Sequence, residues 1–88
     1  MYSIALSDKA IKDLPKLKKE NKMFLSKLME LVADIATNPF TGLGKPEKLK
    51  HDMVGCYSRR ISDKHRLIYN VNGNVIEVIS CYGHYSDK

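Results

Sequence analysis

The sequence predicts an α+β fold with the order β-α-α-β-β-β, two N-terminal helices packed on a small antiparallel sheet. Three observations carry this reading. Phe24, Leu28, Leu31 and Ile35 recur at helical spacing. Three strand-like runs crowd the C-terminal half, separated by the turn signals "SDK" and "NGN". Between these regions lies "PFTGLGKPEKLKHDMVG", broken by proline and glycine and without a period.

The elements follow in order. "YSIAL" is a short first strand, and Ser7 with Asp8 then supplies an N-cap and a favourable first-turn charge. Ile11, Leu14 and Leu17 mark the first helix, in which Pro15 should force a kink or a restart. The second helix, "NKMFLSKLMELVADIATN", has its main stripe widened by Leu25, Met29 and Val32, and the hairpin between the helices breaks near Glu20–Asn21–Lys22. Pro39 ends it and opens a long loop, a kind of segment that is often functional. "CYSRRIS", "HRLIYNV" and "NVIEVISCY" form the meander, with Asn72–Gly73 as a tight-hairpin signal. A helix must cover one sheet face to hide Leu67, Tyr69, Ile76 and Val78, which leaves the other face available.

Residues 1–88 make one domain by length. Hydrophobic residues at 43% with aromatic and β-branched residues throughout exclude a disordered chain. No apolar run approaches the roughly 18 residues that span a bilayer, and the start lacks the basic region of a signal peptide. No membrane association is expected. Cys56 and Cys81 are expected as free thiols in a reducing compartment, which places the chain in the cytoplasm. Two cysteines alone cannot build a zinc site, and no metal or cofactor is expected.

Net charge of +5 on so small a domain attracts polyanions. The charge is concentrated. Lys45, Lys48, Lys50, Arg59, Arg60, Lys64 and Arg66 face only Glu47, Asp52 and Asp63 in the same window. Arginines within strands suit forked contacts to phosphate. Arg59 and Arg60 are neighbours on a strand and so point to opposite faces, and at most one of them joins a given site. Tyr57, Tyr69, Tyr82 and Tyr85 are interleaved as possible stacking platforms for bases, although Tyr69 reads first as core. "GLGKPE" is not a phosphate loop, because Pro46 follows Lys45 where Ser or Thr should hold magnesium.

The stretch "PFTGLGKPEKLKHDMVGCYSRRISDKHRLIYNV" and the terminal "GHY" together resemble the Txe/YoeB family of bacterial toxins, within the RelE superfamily. The resemblance is dense from Pro39 to Val71 and again at the terminus. It implies a RelE-like fold and ribosome-dependent cleavage of mRNA in the A site, the activity of an mRNA interferase. It implies neutralisation by a YefM/Axe-type antitoxin whose complex binds operator DNA, and it allows a homodimer. Carried onto this sequence, the family's catalytic residues fall on Glu47, Arg66 and His84, with Tyr85 beside the histidine. Lys45, Lys50, Arg59, Arg60 and His65 are the expected RNA contacts, with a structural role as the alternative for His65, which begins a strand. The chain departs from the family in the three residues after Tyr85 and in Pro15.

These residue types suit metal-independent cleavage. A base must take the proton of the ribose 2′-hydroxyl, an acid must protonate the departing 5′ oxygen, and positive charge must steady the phosphate. Glu47, His84 and Arg66 can fill those roles, with Arg60 and Lys50 sharing the charge. The products would be a 2′,3′-cyclic phosphate and a 5′-hydroxyl. Taken singly, Glu47 between lysines reads as a surface ion-pair partner and His84 as a solvated tail. Two other readings stay open: a non-catalytic RNA- or antitoxin-binding module acting as transcriptional co-repressor, and cleavage of free RNA without the ribosome.

Overall fold

The computed structural model describes residues 2–83. Strand β1 (Ser3–Leu6) leads into helix α1 (Asp8–Glu20) and helix α2 (Lys22–Thr37). After the loop come β2 (Glu47–Lys48), a single 3-10 turn at His51–Met53, and the meander β3 (Cys56–Arg60), β4 (Arg66–Asn72) and β5 (Val75–Ser80). The sheet runs β1-β5-β4-β3-β2.

Two features correct the expected sheet. It is mixed, because β1 pairs with β5 in parallel. The two helices form the crossover that a parallel connection requires. The loop also contains β2, which pairs antiparallel with β3 through Glu47–Ser58 and Lys48–Tyr57. Two residues are too few to show an alternating period, so the strand left no trace in the sequence pattern.

Local chemistry sets the helix ends. The Ser7 hydroxyl accepts from the Ala10 N–H at 3.0 Å, and Asn21 Oδ1 accepts from the Met23 N–H at 2.9 Å. Asn21 therefore closes one helix and caps the next, at the break the sequence predicts. Pro15 neither stops nor restarts α1, which continues through it. Pro15 and Ile11 both lie on the exposed side, where water can take the Ile11 carbonyl that loses its helical partner.

Leu28, Leu31 and Ile35 of α2 and Ala10 and Leu17 of α1 are buried against Leu67, Tyr69, Ile76 and Val78. Burial of these side chains stabilises the fold by roughly 1.5–3 kcal/mol each before entropy is counted. Met29, from the same stripe, stays 62% exposed. Among the described residues no helix is long and apolar enough to cross a membrane. The helices cover one face of the sheet; on the other, Ser58 and Ile68 are buried as well, while Glu47 is exposed and Arg60 and Arg66 are half-buried.

Candidate active site

Strand parity divides the basic window between the two faces. On β3, Tyr57 and Arg59 pair with Tyr69 and Leu67 of β4, whose side chains are fully buried beneath the helices. Cys56, Ser58 and Arg60 therefore point to the open face, as do their partners Asn70, Ile68 and Arg66. Glu47, paired with Ser58, is on that face too.

Arg60 lies directly opposite Arg66. Two cations at facing positions repel and cost stability. Asp63 compensates weakly, 4.0 Å from Arg60 and almost fully exposed itself. The Arg60 Nε is buried without a hydrogen-bond partner. Strand geometry puts the Glu47 and Arg66 Cα atoms about 12 Å apart, a gap two long side chains can close around one bound group. Ser58 and Ile68, buried between them, form the floor. Glu47 is exposed and Arg66 half-buried, so both heads remain accessible. The arrangement offers paired guanidinium groups for an anion and a carboxylate beside it.

The loop before Glu47 is held from beneath. Arg59 is fully buried. Its Nε donates to the Tyr69 hydroxyl at 3.1 Å, and Nη1 donates to Asp34 Oδ2 at 2.6 Å and to the Leu43 carbonyl at 3.0 Å. Nη2 donates to the carbonyls of Asn38 at 2.5 Å and Thr41 at 3.0 Å. All five guanidinium N–H groups are thus used. The hydrogen bond from Arg59, helped by the Leu43 N–H, holds the Asp34 carboxyl below the usual range. Tyr69 is pushed up, mainly by burial, so its hydroxyl stays protonated and donates to the Pro39 carbonyl at 2.7 Å. The Arg60 N–H donates to the Gly44 carbonyl at 2.7 Å and ties the loop to β3. Gly42 and Gly44 have φ of 124° and 76°, and a Cβ on Gly42 would fall 2.1 Å from Asp34 Oδ2.

Two expected RNA contacts are corrected by burial. Arg59 has no donor left for a phosphate and organises the loop instead. His65 is 2% exposed, with Glu20 on one ring nitrogen and the Gly83 N–H on the other. Two of the tyrosines read as stacking platforms pack on neighbouring rings. Tyr57 stacks on Tyr69 on the helix side and meets Phe40 at a tilted angle, and Tyr82 packs on the His65 ring. Lys45 and Lys50 flank β2 with exposed side chains. His84 and Tyr85 lie outside the described residues. The chain reaches them from Gly83, whose carbonyl accepts from the Arg66 N–H at 3.0 Å. Asp34 and Glu20 were not singled out from sequence. The available signal for Asp34 was a carboxylate set between Leu31 and Ile35 at the margin of a buried stripe.

Comparison with known proteins identifies the family. Residues 6–85 match the family model described as YoeB-like toxin of bacterial type II toxin-antitoxin system. Toxin YoeB of Escherichia coli K12 is 43% identical over 65 residues, covering 74% of this chain and 77% of the relative. A YoeB/ParE toxin from Agrobacterium tumefaciens superposes with a TM-score of 0.89 at 36% identity, over 94% of this chain and 99% of that one. The toxin fold in a YoeB-YefM complex from Staphylococcus aureus gives a TM-score of 0.83 at 42% identity, over 97% and 99% of the two chains. The chain belongs to the YoeB-like toxins of bacterial type II toxin–antitoxin systems.

Proposed function

We propose that the chain is an mRNA interferase, a ribosome-dependent endoribonuclease that cleaves mRNA in the A site and so inhibits translation. The observation that supports this best is the placing of Glu47, Arg60 and Arg66 on one open face, beside the point where the chain leads to His84. A facing pair of arginines is unfavourable by itself and suits a phosphate that neutralises it.

In this reading Glu47 takes the 2′-hydroxyl proton, and the 2′ oxygen attacks the adjacent phosphorus. Arg66 and Arg60 hold the non-bridging oxygens as charge grows on them. His84 gives its proton to the departing 5′ oxygen, with Tyr85 beside it. The phosphorus–5′-oxygen bond breaks as the phosphorus–2′-oxygen bond forms, leaving a 2′,3′-cyclic phosphate and a 5′-hydroxyl. Exposed Lys45 and Lys50 lie along the RNA path. The partners are the ribosome, its mRNA and a YefM/Axe-type antitoxin whose complex binds operator DNA. The site of action is the cytoplasm.

The test is a defined translation reaction with and without ribosomes, with mRNA 5′ ends mapped. Cleavage at an A-site codon should need ribosomes and fall about 100- to 10,000-fold with His84→Ala, to a measurable residual rate. Intact ribosomal mRNA with folded wild-type protein would instead favour the non-catalytic co-repressor, and cleavage of naked RNA would favour the ribosome-independent enzyme.

A further inference from the structure

The segment that leads to His84 is gripped residue by residue. Between β4 and β5, Ile68 pairs with Ser80 and Tyr69 with Val78, which leaves Ile79 as a bulge that redirects the end of β5. The Ser7 hydroxyl donates to the Ile79 carbonyl at 2.6 Å. The Cys81 N–H donates to buried Asp13 at 3.0 Å, and the Tyr82 hydroxyl donates to Glu20 Oε1 at 3.0 Å. The Gly83 N–H donates to His65 Nδ1 at 2.8 Å.

The last contact fixes the state of a ring. A backbone N–H can only donate, so His65 Nδ1 must carry a lone pair. The proton then sits on Nε2, which lies 3.0 Å from Glu20 Oε2 and donates to it. The ring is held edge-on by Phe24 at 5.4 Å and covered by Tyr82 at 4.4 Å. Lys64, 3.6 Å from the same Glu20 oxygen, is the further charge at this carboxylate. The ordering of Nδ1 as acceptor therefore comes from the far end of α1, while its partner is the amide one residue before His84.

We propose that His65, oriented by Glu20, is a positioning residue for the acid: its Nδ1 lone pair fixes the Gly83 amide, the step of the chain that precedes His84. Gly83, at φ 97°, adopts a conformation that a side chain would strain, so the hydrogen bond holds a bend in place. The inference rests on His84 being the acid and assigns no contact with RNA to His65.

The test compares His65→Leu, which removes the acceptor, with His65→Asn, whose amide oxygen can stand at the Nδ1 position. Each is made with His84 intact and with His84→Ala, and single-turnover cleavage of ribosome-bound mRNA is measured. His65→Leu should slow cleavage about 10- to 100-fold, the scale expected for a misplaced catalytic group, with ribosome affinity unchanged. His65→Asn should restore most of that rate. In the His84→Ala background His65→Leu should cost nothing further. An equal loss in both backgrounds, or His65→Asn as slow as His65→Leu, would overturn the proposal and leave a packing role. Full activity of His84→Ala would overturn the parent reading too, and is distinct from an active His65→Leu beside an inactive His84→Ala. Should the leucine variant not fold, the wild-type protein decides: imidazole nitrogen shifts should show the Nε2–H tautomer with coupling across the Gly83–His65 hydrogen bond, and the Nδ1–H tautomer would sink the idea.

Discussion

Arg59 donates to Asp34 at 2.6 Å from a wholly buried position, one residue before Arg60, which stands on the opposite face among the candidate active-site groups. A single strand step thus separates the cation that builds the loop from the cation offered to ligand. Removing Arg59 takes away the guanidinium donors that reach the carbonyls of Asn38, Thr41 and Leu43 from beneath. Arg59→Met should cost about 3 kcal/mol or more, lowering the melting temperature by more than about 10 °C in a domain of this size. Arg59→Lys should rescue little, because an ammonium cannot reproduce the fork. Gly42→Ala should mimic the defect in part, since its Cβ collides with Asp34. Thermal unfolding followed by circular dichroism checks all three.

Arg66→Ala should do the reverse. Its side chain is half-buried on the open face and opposes a like charge. Unfolding free energy should stay within about 1 kcal/mol of wild type, while cleavage falls about 100-fold or more. Arg60→Ala should also leave stability intact and should reduce the salt dependence of RNA binding. A large stability loss in either variant would mean that the arginine pair is structural.

Acid should loosen the helix-to-sheet contacts in a defined direction. The His65 hydrogen bond first, then that from Tyr82, holds the Glu20 carboxyl below its ordinary value, and Arg59 does the same for Asp34. A depressed folded-state pKa contributes stability that is present above the unfolded value, about 4.3 for glutamate, and that is lost as pH falls through the folded value. Melting temperature should therefore drop below about pH 4. Glu20→Gln should flatten part of that drop, and a pH series of melting curves reads the difference.

The two thiols should differ in reactivity. Burial, reinforced by the Asp13 carboxylate, pushes Cys81 up to about 12. Cys56 is raised as well, by burial and then by Glu77, but remains half-buried. An alkylating reagent at mildly alkaline pH should label Cys56 slowly and spare Cys81 until the chain unfolds. Mass spectrometry of peptides after timed labelling would show it, and early labelling of Cys81 would contradict the burial.

What the sequence determined by itself is what depends on near neighbours. The Leu28–Leu31–Ile35 stripe, the break at Asn21 and the hairpin at "NGN" are set by periods and turn chemistry within a few residues; all are found, with Gly73–Asn74 as the hairpin loop and Asn72 still in the ladder. Parity also showed that Arg59 and Arg60 must part. Tertiary structure decided which of them turns inward, because the partners that satisfy Arg59 come from Asp34, 25 residues away, and from loop carbonyls that converge only when α2 lies on the sheet. His65 is the same case. Its acceptor and donor contacts lie 18 and 45 residues away, so a histidine that opens a basic strand ends as a buried link between α1 and Gly83. A polar side chain is buried only where distant groups meet all its donors and acceptors, and local patterning does not record where those groups will be.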